Sequence, residues 1–221
     1  MKLHKIVDLS RVINSDTQVY PGDPQPRFTP YTTIEHDGFN VLNIEMGSQS
    51  GTHVDAPFHF DADTARITEV SLDHFVGQGI IVDVRNLSPR SEITWDLIAP
   101  QVTHAVSGDI VLLHTGWSQY YGTDEYFNHP YLTADACAKL IAQGVHTFGI
   151  DAINLDETPD DTHDGVGFPV HHLIADVGGI ISENLCNLHE IDFAQPLISL
   201  LPIKLDGADG APVRAVAMQF A

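Results

Sequence analysis

The segment Ser50-Gly51-Thr52-His53-Val54-Asp55-Ala56-Pro57-Phe58-His59 carries the densest chemical signal in the chain. Side chains alternate along an extended backbone, so His53 and Asp55 share one face while Thr52, Val54 and Ala56 take the other. One imidazole nitrogen and one carboxylate oxygen side by side can meet a divalent cation. Pro57 cannot donate to a sheet ladder and ends or bends the strand, which turns His59 back toward the same point. Gly51 lets the backbone approach closely. Two lone residues at this spacing would read as a hydrogen-bonded pair on a strand edge; with His59, Gly51 and Pro57 added, the reading becomes a metal site. Further donors must come from elsewhere, and His171, His172, Glu183 and His163 are the candidates.

Working outward, short β-branched or apolar runs at Lys5 to Leu9, Val41 to Met46, Gly79 to Val84, Asp109 to His114, Thr147 to Ile150, Gly179 to Ile181 and Val213 to Met218 read as strands. Helical periodicity is scarcer. Thr133 to Gln143 places Leu132, Cys137, Leu140 and Ile141 on one side, with Thr133 as N-cap and Gly144 beyond the C-terminus. Further helices are expected over Val170 to Ala175 and around Thr94 to Ala99. Pro21 to Pro26 and Asp156 to Gly167 are irregular, turn-rich loops of the kind that often carries function. The pattern is α/β with more strand than helix, in one domain spanning residues 1–221. No internal repeat, heptad or glycine-rich phosphate loop is present.

A chain of 221 residues with 43% apolar content can bury a substantial core. Its 30 acidic against 10 basic residues give a formal charge of −20, which repels phosphate backbones and anionic lipid headgroups. Nucleic-acid and membrane partners are therefore not expected, though the acidity itself names no substrate. Neither a secretory h-region nor a bilayer-length apolar stretch occurs. Cys137 and Cys186 lack the spacing of a zinc ribbon or redox pair and read as ordinary buried thiols, in keeping with a cytoplasmic protein. Phe28, Phe39, Phe58 and Trp117 are candidates to line an apolar substrate pocket.

These residues resemble the cyclase family of metal-dependent hydrolases, which includes bacterial kynurenine formamidase and isatin hydrolase. The family signature, His-x-Gly-Thr-His-x-Asp-x-Pro-x-His, here runs from Gln49 to His59. Val7-Asp8-Leu9-Ser10, Tyr20-Pro21-Gly22-Asp23-Pro24, Thr115-Gly116-Trp117, Gly149-Ile150-Asp151, Glu183-Asn184-Leu185 and Gly207 to Ala217 are similar to family segments in family order. The resemblance implies a mixed, β-barrel-like core flanked by helices, and a homodimer or homotetramer whose partner chain helps close the active site. It implies His53 and Asp55 as metal ligands and His59 as the catalytic histidine. In two-zinc formamidases the first signature histidine, a histidine before the last helix and a glutamate after it complete the site; His171 and Glu183 match the latter two, but Gln49 replaces the first, and an amide is a weaker zinc ligand than imidazole. The isatin hydrolase branch implies a single manganese with a C-terminal glutamine as ligand, for which Gln219 is the counterpart. Manganese is thus the expected ion and zinc the alternative. The activity so implied is hydrolysis of a small cyclic or N-acyl aryl amide, isatin hydrolase-like, with a kynurenine formamidase as the alternative. A chain in which Gln49 has abolished turnover would instead be a metal-dependent ligand-binding protein.

Overall fold

The computed structural model describes residues 2–221. Its strands are β1 (Leu3–Asp8), β2 (Arg27–Thr32), β3 (Val41–Glu45), β4 (His53–Asp55), β5 (Val76–Asp83), β6 (Glu92–Ile93), β7 (Ile110–His114), β8 (Tyr131–Leu132), β9 (Thr147–Ile150), β10 (Ile180–Glu183), β11 (Leu197–Ser199), β12 (Gly210–Pro212) and β13 (Val216–Phe220). The helices are α1 (Ile34–Asp37), α2 (Trp95–Ile98), α3 (Ala134–Ala142) and α4 (Pro169–Asp176). Nine strands form one mixed sheet in the order β1-β13-β11-β5-β7-β9-β10-β4-β12. β5, β7, β9 and β10 run parallel, whereas β4 lies antiparallel to both β10 and β12.

The two ends of this sheet are stitched together. Past β1, Ser10 Oγ–H donates to Val213 O, just beyond β12, at 3.3 Å, and Arg11 N–H reaches the Thr52 hydroxyl, just before β4, at 2.8 Å. Leu9 O accepts from Cys186 N–H, just past β10, at 2.9 Å. The sheet therefore curls toward closure, giving the expected barrel-like core. β7 shows the consequence for packing: Ile110 and Leu112 belong to the cluster inside the curl with Val7, Val54 and Ala217, while Val111 and Leu113 face the cluster beneath α3 and α4. A strand buried on both faces is apolar at every position, which is why it reads as a continuous run.

α3 forms as its caps predict, with Thr133 Oγ1 accepting from Ala136 N–H at 3.3 Å and Gly144 in the left-handed region. The run at Val213 to Met218 is displaced, because the chain leaves β12 at Pro212 and rejoins the sheet only at Val216. Val41 to Met46 forms a strand, but outside the main sheet. Among the described residues β3 pairs only with β2, in a hairpin whose residues Tyr31, Leu42 and Ile44 are exposed. Beyond β7, Thr115 N–H, Thr115 Oγ1–H and Gly116 N–H all donate to the buried carboxylate of Asp151, at 2.8, 2.6 and 2.9 Å. This is the physical content of the Thr115-Gly116 and Ile150-Asp151 segments: they lock the ends of β7 and β9 together. Asp151→Ala leaves three buried or half-buried donors unpaired and is expected to cost about 2–4 kcal/mol in chemical denaturation. An unchanged midpoint would show that the lock contributes nothing.

Candidate metal centre and active site

β4 places His53 and Asp55 on one face, and its neighbours determine what stands beside them. Antiparallel pairing of β10 sets Glu183 directly opposite His53, so the third donor lies on the same sheet face one strand away. Gly51, at φ 67°, turns its carbonyl onto His53 Nδ1 at 2.8 Å. A side chain at Gly51 would also collide with Ile13. Because a carbonyl only accepts, Nδ1 carries the proton and the Nε2 lone pair faces inward. Nε2 lies 3.5 Å from Asp55 Oδ1 and 3.7 Å from Glu183 Oε2.

His171 approaches from the opposite side. Asp156 caps the start of α4, accepting from Val170 N–H and His171 N–H at 3.0 Å each, and also takes His171 Nδ1–H at 2.7 Å. His171 Nε2 is left 3.4 Å from Glu183 Oε1 and 3.8 Å from Asp55 Oδ2. Burial opposes the charged form of His171, but its hydrogen bonds to Asp156 and Glu183 and the carboxylate charges push its pKa up to about 10.

His53, Asp55, His171 and Glu183 are all buried, and among the described residues Asp55 Oδ1 has no hydrogen-bond partner. Buried carboxylates facing an imidazole lone pair are costly unless a cation joins them. The ligand atoms of His53, Asp55 and Glu183 lie within 4.8 Å of one another, close enough to share one ion. Burial raises the pKa of Asp55. The donor set fits a divalent metal.

The site opens into a cavity of about 210 Å³. Phe60, Phe168 and Tyr20 line it, with the Phe60 ring 4.5 Å from His171 and 5.5 Å from Phe168. Phe168 holds a left-handed backbone, φ 59°, just before Pro169 opens α4, a conformation that costs free energy in a non-glycine residue. His59 emerges from the single turn Pro57–His59 that ends β4, as Pro57 predicts, and lines the same cavity. Its Nδ1 donates to Asp209 Oδ2 at 2.8 Å. Gln49 lines the cavity too, its amide nitrogen donating to Asp209 Oδ2 at 2.9 Å.

The structure thus brings together His53, Asp55, His59, Gln49, His171 and Glu183 and places the other candidates away from them. Gln219 stands on β13 opposite Lys5, seven residues beyond the β12 position that pairs with His53, and does not line the cavity, whereas Glu183 stands beside His53 and Asp55 and does. None of the four aromatic candidates lines the cavity. Phe28 and Phe39 belong to the β2–β3 hairpin region, Phe58 stacks under Arg66, and Trp117 is core, its Nε1–H donating to Glu125 O. Apolar size alone does not distinguish core, surface and cavity, and Phe39 is exposed. His163 bonds to Asp160 in its own loop, and His172 is exposed, touching only the edge of Phe60 in the site region. Sequence reasoning missed Phe60, Phe168, Asp156 and Asp209. Phe60 directly follows the signature and Asp209 lies in a quoted family segment; these were the available signals.

Among known proteins, the Cyclase family, described as putative cyclase, matches residues 7–157. A kynurenine formamidase of Bacillus mycoides (strain KBAB4) is 32% identical over 218 residues, covering 98% of each chain. Isatin hydrolase A from Labrenzia aggregata, solved with benzyl benzoate, superposes with a TM-score of 0.87 over 97% of this chain and 93% of its own, at 24% identity, which concerns the fold alone. A structure described as a potential metal-dependent hydrolase with cyclase activity gives 0.79 at 27% identity, covering 98% of both chains.

Proposed function

This chain belongs to the Cyclase family, and from that premise we propose that it is a metal-dependent hydrolase of a small cyclic or N-acyl aryl amide, cleaving the amide C–N bond. The observation that carries the reading is the buried convergence of His53, Asp55 and Glu183 on one point, beside a histidine whose second nitrogen is free. His53, Asp55 and Glu183 would hold the ion, with His171 beside them. Two carboxylates and one imidazole make an oxygen-rich set that suits manganese, with zinc as the alternative. When bound, such an ion lowers the pKa of a water and polarises the substrate carbonyl.

The chain's own residues supply the rest. His59, its Nδ1 proton committed to Asp209, offers Nε2 to take a proton from the attacking water and return it to the departing nitrogen. Phe60, Phe168 and Tyr20 give an aryl substrate apolar faces to pack on and exclude water from the reacting bond. The products are a carboxylate and an amine, joined in one molecule when the substrate is a ring. Gln49 is tied to Asp209, and this supports one metal per chain. The full-length likeness to the Bacillus mycoides relative favours a second reading, a kynurenine formamidase. Metal content of the purified protein, followed by turnover of isatin, N-formylkynurenine and small lactams, tests both. One ion per chain with ring opening supports the first; two ions with deformylation support the second; no ion and no turnover removes both.

The exposed apolar β2–β3 hairpin supports a homodimer or homotetramer in which this arm packs on a partner chain near its cavity. Leu42→Asp together with Ile44→Asp is expected to convert the assembly to a monomer by light scattering. A wild-type monomer would refute the assembly. Among the described residues no helix is long and apolar enough to cross a membrane.

A further inference from the structure

We propose that Asp209 is a positioning residue that sets the tautomer and basicity of His59, a role that rests on the hydrolase reading above. Asp209 sits on the turn that leads into β12, where its backbone carbonyl accepts from Ala56 N–H at 2.8 Å and Ala208 O accepts from Ile67 N–H at 3.0 Å. The turn is thereby pinned to chain on both sides of His59. The side chain is held as firmly. Ser48 Oγ–H donates to Oδ1 at 2.7 Å, and Gln49 Nε2–H and His59 Nδ1–H converge on Oδ2 at 2.9 and 2.8 Å.

This arrangement dictates the protonation of the ring. A carboxylate only accepts, so the neutral His59 imidazole must carry its hydrogen on Nδ1. Nε2 then keeps its lone pair, which a base that faces the cavity requires. The Gln49 nitrogen lies 3.3 Å from His59 Nδ1 because two donors share one oxygen. An amide at position 49 thus acts as a second clamp on the Asp209 carboxylate. Besides Asp209, the titratable groups that act on His59 are Asp55, His171 and Asp23, and the Phe60 ring packs edge-on at 4.8 Å. Burial alone would lower the pKa of His59, but the Asp209 hydrogen bond and the charges of Asp55 and Asp209 outweigh it and raise it. Asp209 itself is held well below the ordinary carboxylate range, chiefly by the His59 hydrogen bond. Asp209 is therefore the ionised, accepting partner of the pair near neutral pH.

The test is a nitrogen-15 histidine NMR titration of wild type and Asp209→Asn, the His59 signals being those missing in His59→Ala. Neutral His59 is expected as the Nδ1–H tautomer in wild type, with its titration displaced to lower pH in Asp209→Asn. With isatin or N-formylkynurenine, whichever the wild type hydrolyses, Asp209→Asn should lower kcat about 10- to 100-fold, as partners that orient a working imidazole usually do. KM should change less than about threefold. The acid limb of kcat should move to lower pH, and Asp209→Glu should recover part of the rate, neither of which a merely structural loss produces. A wild-type Nε2–H tautomer, or a His59 titration and acid limb unmoved in Asp209→Asn, overturns the proposal. The wild-type tautomer decides even if Asp209→Asn does not fold. Absence of any amide hydrolysis by wild type would sink the functional reading, while the NMR titration would still decide what Asp209 does to His59.

Discussion

Asp55→Ala should lose its metal and its activity together, with turnover falling by at least about 10³-fold, or some 4 kcal/mol of transition-state stabilisation. Asp55 reaches toward both imidazoles, Oδ1 lying 3.5 Å from His53 Nε2 and Oδ2 3.8 Å from His171 Nε2. Removing it takes away one of three converging donors and half of the negative charge that draws a cation between them. The melting temperature provides a second reading. Asp55 is a buried carboxylate whose Oδ1 is unpartnered without an ion, so the metal-free variant should melt no lower than metal-free wild type. Only the metal-loaded comparison should show a loss, because binding to the folded state stabilises it by mass action. Elemental analysis and melting curves with and without added manganese or zinc make the measurement. Full metal occupancy in Asp55→Ala would show that the centre has been misassigned.

His59→Ala should behave in the opposite way toward the metal. His59 comes from the turn after Pro57, outside the register that aligns His53 with Asp55, and is not one of the three groups whose ligand atoms converge. The variant is expected to retain its ion and lose about 10²- to 10⁴-fold in turnover, the usual consequence of removing a positioned acid or base. His53→Ala, by contrast, should lose the ion. The neutral imidazole is the active base, and the pKa of His59 is raised once the Asp209 hydrogen bond has outweighed burial. Activity should therefore fall as pH drops through a value above the ordinary imidazole pKa, and this acid limb should change in His59→Ala. A variant that loses metal would make His59 a ligand, and one that hydrolyses at the native rate would make it a bystander.

What the sequence determined by itself was local. Period-two alternation put His53 and Asp55 on one face, Pro57 ended their strand, and Thr133 with Gly144 bounded α3; each depends on covalent geometry within a few residues. The curled sheet was expected only through the resemblance of several segments to a known family, not from any local pattern. Tertiary structure alone placed Glu183, and not Gln219, beside His53 and Asp55. Both are polar residues near strand ends, and only the pairing of β10 against β4, across more than a hundred residues, sets Glu183 opposite His53. The cavity wall was decided in the same way. Phe60 and Phe168 are no more apolar than Phe58 or Trp117, but the packing of α4 against the turn after β4 leaves the first pair facing open space and places the second against Arg66 or in the core. Asp209 meets His59 only because its turn is hydrogen-bonded to Ala56, 153 residues earlier in the chain (209 − 56). Alternation and capping are properties of a chain and its nearest neighbours, whereas strand partners and cavity walls follow from which distant surfaces bury together, and no local pattern encodes that choice.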